Sequence, residues 1–165
     1  MHGMIGKSGS SKVPVLCTKE KITDYNLKNY SCYLKDERIR KYRDKEDDKD
    51  YYYVCPNFFS SAYRCNELDN STVFLNSCSG FGKDGVGISD YAFSVAFQSA
   101  GAEMVMGYHN SVYSRYGRNF IFEMVSQLLN GKTTGEAFDI SKDRWGENED
   151  AWCEEVGVKK HEVAA

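Results

Sequence analysis

No apolar run in this chain approaches the roughly 20 residues that a membrane-spanning helix needs, so the sequence predicts no membrane partner. No signal peptide opens it, because Met1-His2-Gly3 leads straight into a polar Gly/Ser/Lys stretch. A basic excess is also lacking. With 21 Lys and Arg against 24 Asp and Glu, the net charge is −3, and nothing resembles the electrostatic footprint of a nucleic-acid binder. Six cysteines are present (Cys17, Cys32, Cys55, Cys65, Cys78, Cys153) but no CxxC and no short pair. That spacing excludes the usual zinc-ligand patterns, and a chain this long does not depend on disulfides. Most of the thiols therefore read as reduced, which favours a cytoplasmic location. A Cys55–Cys65 bridge stays open for an exported protein. No metal, cofactor or internal repeat is expected.

At 165 residues the chain is one domain or a large piece of one. Residues 4–12 read as a flexible loop and Val13–Cys17 as a short strand, kept from a central position by Pro14. From Lys35 to Asp50 charges of both signs alternate, with only Ile39 and Tyr42 large and apolar. This predicts a solvated insertion, or a helix laced with charged pairs. Tyr51–Cys55 and Phe58-Phe59 are β-prone and suggest a small hairpin.

The second half is more regular. Thr72–Cys78 has the length and composition of a buried strand. Tyr91–Ala100 has small and apolar residues at helical spacing, with Ser89 or Asp90 as N-cap and Gly101 as terminator. Glu103–Tyr108 is a second buried strand, and residues 120–129 carry the apolar stripe of a second helix. Thr133-Thr134-Gly135-Glu136 has capping-box spacing and opens a third helix through Trp145. Strand, helix, strand and helix in this order predict a βαβ unit in a parallel sheet.

Cys78 is the chemically informative residue. A buried strand that stops at a cysteine and opens into Ser79-Gly80-Phe81-Gly82 holds a thiol at a sheet edge, where a substrate can approach. A thiol needs a base to become a thiolate, and histidine serves near neutral pH. His2 and His109 are the two candidates. His109 follows the second buried strand, and parallel strands bring their C-terminal ends together, so it belongs near Cys78. The plainer reading of His109 is that it lines the substrate cleft, with its neighbour Asn110, or caps the strand end. Cys78 also has a plain reading, as a small buried hydrophobe. His161 lies in a polar tail and is assigned no role.

Asn76-Ser77-Cys78-Ser79-Gly80, then Ala96-Phe97-Gln98-Ser99-Ala100-Gly101-Ala102, Glu103–Gly107 and Gly131-Lys132-Thr133-Thr134-Gly135-Glu136-Ala137, resemble in order and spacing the caspase-like cysteine peptidases, most closely their CHAT-domain branch. The resemblance covers about residues 71 to 145. It implies an α/β fold: a three-layer α/β/α sandwich with a mostly parallel sheet. Residues 1–150 would be the C-terminal portion of such a domain, lacking its N-terminal strands and carrying the 35–50 insertion. Residues 151–165 would be a polar tail.

The resemblance further implies a cysteine endopeptidase acting on a protein or peptide through a Cys78–His2 dyad. His2-Gly3 matches the family's upstream His-Gly pair, and the backbone N–H groups of Gly3 and Cys78 would form the oxyanion hole. Asn76 and Ser77, with His109 and Asn110, would contact substrate. Several basic-specific relatives carry Asp where Asn76 stands, so either Asn76 accepts a neutral or polar substrate side chain or it merely bonds the local turn. Asp84 or Asp90 is the alternative source of negative charge. Because only Met1 precedes the histidine, the expectation is a fragment whose activity alone is in question and which an N-terminal segment or regulatory domain would complete. The alternatives are a non-catalytic CHAT-like interaction module, or an acyltransferase reusing the thiol.

Overall fold

The computed structural model describes residues 2–8, 11–83, 88–89 and 91–146. The chain divides into two compact units, Met1–Ser111 and Val112–Ala165.

The first unit opens with two strands, β1 (His2–Ser8) and β2 (Ser11–Lys21). They pair antiparallel along their whole common length, from His2 opposite Cys17 to Ser8 opposite Ser11. Two short helices follow, α1 (Asp24–Asn29) and α2 (Ser31–Lys35). Next come β3 (Ile39–Arg43), β4 (Asp50–Val54) and helix α3 (Pro56–Ala62). The four strands form one antiparallel sheet in the order β1-β2-β4-β3. After α3 come β5 (Thr72–Phe74), β6 (Gly82–Lys83), β7 (Ile88–Ser89), helix α4 (Ala92–Gln98) and β8 (Met104–Met106). β5 and β8 pair parallel with α4 between them in sequence, while β6 and β7 form a small antiparallel pair.

The expected caspase-like sandwich with a mostly parallel sheet is therefore not what the chain builds. The physical reason lies in the connections. Residues 9–10 join β1 to β2, and a tight turn in which the Asp44 N–H donates to the Lys49 carbonyl (2.8 Å) joins β3 to β4. Links this short can only reverse the strand. Among the described residues, parallel pairing is confined to β5 and β8, which have a long crossover.

Three local expectations change with it. Of the residues read as a flexible loop, 4–8 belong to β1 and 11–12 to β2, while 9 and 10 lie outside the described residues. Pro14 lies inside β2, but β4 pairs with β2 only from Leu16 onward, so the missing N–H interrupts no bond to β4. The charged stretch 35–50 is neither a helix nor a loose insertion. Its centre is β3, whose Arg40, Tyr42 and Arg43 sit opposite Tyr53, Tyr51 and Asp50. Its charges pair across the turn: Arg43 with Asp48 (2.9 Å) and Asp50 (3.3 Å), and Asp44 with Lys19 of β2 (2.8 Å). Phe58 and Phe59 belong to α3 rather than a hairpin, with Pro56 placed where a helix tolerates it, in the first turn.

Strand alternation then divides the core. Leu16 packs with Leu75, Phe93, Phe97 and Ala102, which ties the antiparallel sheet to β5 and α4. Its neighbours Val15 and Cys17 point the other way, into a cluster with Tyr53 and Cys55. Gly101, with φ +105°, ends the α4 segment, and a Cβ there would lie 3.0 Å from the Asn66 Cα and collide with the Asp69 carboxylate. The N-cap position of α4 is Tyr91, without a side-chain cap. Ser89 lies in β7, and Asp90 is outside the described residues.

The second unit is a helical pair, α5 (Ser114–Leu129) and α6 (Thr134–Trp145). The capping box forms in full: the Glu136 N–H donates to the Thr133 hydroxyl, and the Glu136 carboxylate accepts from the Thr133 N–H (2.9 Å). Phe120 meets Phe138 with ring centres 5.6 Å apart. Buried Glu123 of α5 pairs with Arg144 of α6 at 2.9 Å and accepts from Gln127 at 2.7 Å. The segment 147–165, with Cys153 and His161, lies outside the described residues.

Candidate functional site

The ladder between β5 and β8 ends one bond beyond Phe74, where the Leu75 N–H donates to the Met106 carbonyl (2.7 Å). The strand thus stops before Cys78 rather than at it. Backbone bonds then fold the chain back on itself, Ser77 N–H to Leu75 carbonyl (2.9 Å) and Gly82 N–H to Ser79 carbonyl (3.1 Å). Between them lies Cys78, half-buried. Ser79, the next residue, takes the left-handed conformation (φ +53°). For a residue with a Cβ that conformation is strained by about 1–2 kcal/mol, so something must hold it.

The holder is the turn after β8. The Asn110 carbonyl accepts from the Ser79 N–H at 2.6 Å, the Tyr108 carbonyl from the Phe81 N–H at 3.0 Å, and the Gly82 carbonyl from the Asn110 N–H at 3.2 Å. Asn110 is itself left-handed (φ +61°). The two turns fix each other. Nothing in the sequence marked this backbone role, beyond the tolerance of asparagine for left-handed geometry. Gly107 permits the close approach, since a Cβ there would lie 3.0 and 3.1 Å from Phe81 ring carbons.

Gly3 supplies the decisive contact from the antiparallel sheet. It is buried, and a Cβ built on it would run into the Cys78 carbonyl oxygen and lie 2.9 Å from the Cys78 carbonyl carbon. Only glycine allows two backbones to meet this closely. His2 precedes it on β1; the His2 ring lies outside the described side chains.

Ser77 is buried, at 7% exposure, and its hydroxyl has no hydrogen-bond partner. Its Oγ would be 3.1 Å from a Cβ on Gly3 and 3.3 Å from one on Gly80, so it sits between the two glycines. His109 is half-buried, with Nδ1 enclosed and likewise without a partner. Its ring meets those of Phe81 and Tyr91 edge-on, at 6.2 and 6.0 Å between centres. Asn76 is exposed. Asp84 and Asp90 lie outside the described residues.

The other described cysteines offer weaker chemistry. All of them are thiols, so Cys55 and Cys65 are not bridged: Cys55 is buried and Cys65 exposed. Burial pushes the Cys17 and Cys55 thiols up to about 11, which keeps them protonated and inert at neutral pH. Cys32 lies in α2, and Cys65 sits before left-handed Asn66 (φ +68°); both are exposed. Among the described residues no group of three or more His, Cys, Asp and Glu side chains could hold a metal, and no helix is long and apolar enough to cross a membrane.

An open groove of about 440 Å³ runs between β2, α3 and α4, with Val13, Pro56, Tyr91 and Val95 in its walls. Tyr91 is shared between this groove and the His109 contact.

No family model, curated protein or solved structure matches this chain.

Proposed function

We propose that the chain is a cysteine endopeptidase, with Cys78 as nucleophile and His2 as its base. The observation that carries the reading is the apposition of Gly3 and Cys78. A contact between these two backbones brings the His-Gly pair to the cysteine from far upstream in the chain. The half-buried, strained turn is the second support, since strain of this kind concentrates where geometry must be held for chemistry.

In this mechanism His2 takes the Cys78 proton and the thiolate attacks the substrate carbonyl carbon. The carbonyl electron pair moves onto oxygen, where the Gly3 and Cys78 N–H groups would stabilise it. Collapse breaks the C–N bond, and the imidazolium protonates the leaving amine. Water, deprotonated by the same imidazole, then hydrolyses the thioester and returns the thiol.

Labelling by a peptidyl acyloxymethyl ketone tests the proposal. Cys78 should be the modified residue. Cys78→Ala should abolish labelling, and His2→Ala should slow it by about 100-fold, the lower range for loss of a general base. A chain whose Cys78 reacts with iodoacetamide but with no peptidyl probe is a non-catalytic interaction module instead.

A further inference from the structure

Helix α5 has two faces. Tyr116, Phe120, Glu123 and Met124 are buried, and Phe120 and Glu123 meet Phe138 and Arg144 of α6. On the opposite side of the helix, Arg115, Arg118, Phe122, Val125 and Leu129 recur at spacings of three and four residues, which sets them in a single stripe. Phe122 is 67% exposed and Leu129 82%, Arg115 and Arg118 are exposed, and Val125 is half-buried. The N-terminal half of the stripe is basic and its C-terminal half apolar. Single apolar side chains on a surface need no explanation, but a run at the spacing of a helix seam does.

Helix α6 returns the chain to the start of this stripe. The Tyr116 hydroxyl donates to the Gly146 carbonyl (3.1 Å), and Gly146, left-handed at φ +63°, ends the helix there. Residues 147–165 follow from that point, and even at half extension they outreach the roughly 24 Å of α5. Their sequence repeats the order of the stripe with the opposite charge. Residues 147–155 hold five carboxylates (Glu147, Glu149, Asp150, Glu154 and Glu155) and no Lys or Arg, and Trp152 and Val156 supply the apolar groups. Counted from the bond between Gly146 and Tyr116, Trp152 and Phe122 each stand six residues on.

We propose that the outer stripe of α5 is a docking surface for the chain's own segment 147–156. The first carboxylates meet Arg115 and Arg118, and Trp152 and Val156 cover Phe122, Val125 and Leu129. This surface is independent of the peptidase reading and adds an interaction to it. Charge selects the occupant. A second copy of α5 laid antiparallel on the stripe would set Arg115 and Arg118 against Leu129 and Val125, and laid parallel would set them against each other, so it gains no opposite charge. The segment answers both halves, and its attachment at Gly146 gives it a high effective concentration.

Hydrogen exchange on the full chain, read segment by segment, tests this. Amides of residues 149–156 should exchange at least about tenfold more slowly than free-peptide rates, as for a segment docked about nine-tenths of the time. Phe122→Asp and Leu129→Asp, both at exposed positions, should each remove that protection while the first turn of α6 keeps its own. Arg115→Glu with Arg118→Glu should weaken it, and adding Glu149→Arg with Asp150→Arg should restore it. This charge swap keeps the test decisive even where an aspartate disturbs α5. Free-peptide rates in the parent chain, protection unchanged in both aspartate variants, or no recovery on swapping the charges overturns the docking. Protection that disappears on about tenfold dilution assigns the stripe to a second copy and overturns it as well.

Discussion

Gly3 and Cys78 meet backbone to backbone, with no room for a methyl group between them. One residue stands on an antiparallel strand and the other on the turn after a parallel one. The contact therefore joins two sheets as well as two candidate catalytic groups.

Replacing Gly3 by Ala tests that junction directly. The new Cβ collides with a carbonyl oxygen that backbone bonds hold in place, so β1 or the turn must move. Overpacking of this kind costs roughly 1–3 kcal/mol. We expect a lower melting temperature and a larger proportional loss of Cys78 labelling by peptidyl probes. Equal labelling of the variant and the parent chain would show that the junction has no part in reactivity.

Gly101→Ala probes the packing around α4 without touching the site. Both the left-handed backbone and the collision with Asp69 oppose a side chain there. Chemical denaturation should reveal a loss of at least about 2 kcal/mol, with the turn chemistry retained in the folded fraction.

The buried thiols set a pH limit. Cys17 and Cys55 rise from 9.0 to about 11 in the folded chain. Between those values the unfolded chain has released both protons and the folded chain still holds them. Stability is therefore full below pH 9 and falls as pH rises toward 11. Urea unfolding at pH 8 and pH 10.5 should show this drop, and Cys17→Ala with Cys55→Ala should flatten it. At pH 8, iodoacetamide should modify Cys32, Cys65 and Cys78 in the native protein and reach Cys17 and Cys55 only on unfolding.

In the second unit, Thr133→Ala removes the side-chain acceptor of the capping box. We expect a loss of about 1 kcal/mol, read as reduced hydrogen-exchange protection in the first turn of α6.

The sequence was legible where one local signal decides the outcome. The order strand, helix and parallel strand between Thr72 and Met106 reads correctly, because apolar periodicity and Gly101 both speak for it, but the two strands, expected long and buried, are three residues each and exposed or half-buried. The Thr133–Glu136 box reads correctly for the same reason. The β1–β2 hairpin did not, because Gly, Ser and Lys have weak strand preference and its strand character comes from pairing and from burial of Val15 and Cys17. β3 was hidden by its charges, which ride on the half-buried and exposed positions of a strand anchored by buried Ile39. The fold class failed with these two elements, since they supply the antiparallel strands. At the site, the proximity of the His2-Gly3 end to Cys78 and of the 108–110 turn to the Cys78 turn was anticipated. The left-handed Ser79 and the rings around His109 were not, because backbone sign and ring stacking arise only after the two turns meet.

The hairpin wiring of the larger sheet also bears on the order in which its contacts form. Short-range strand pairs close cheaply, whereas the Gly3–Cys78 junction must gather the long intervening segment and pays the loop-closure entropy for it. A chain emerging from synthesis or refolding thus zips β1 to β2 well before Cys78 acquires Gly3 as a neighbour.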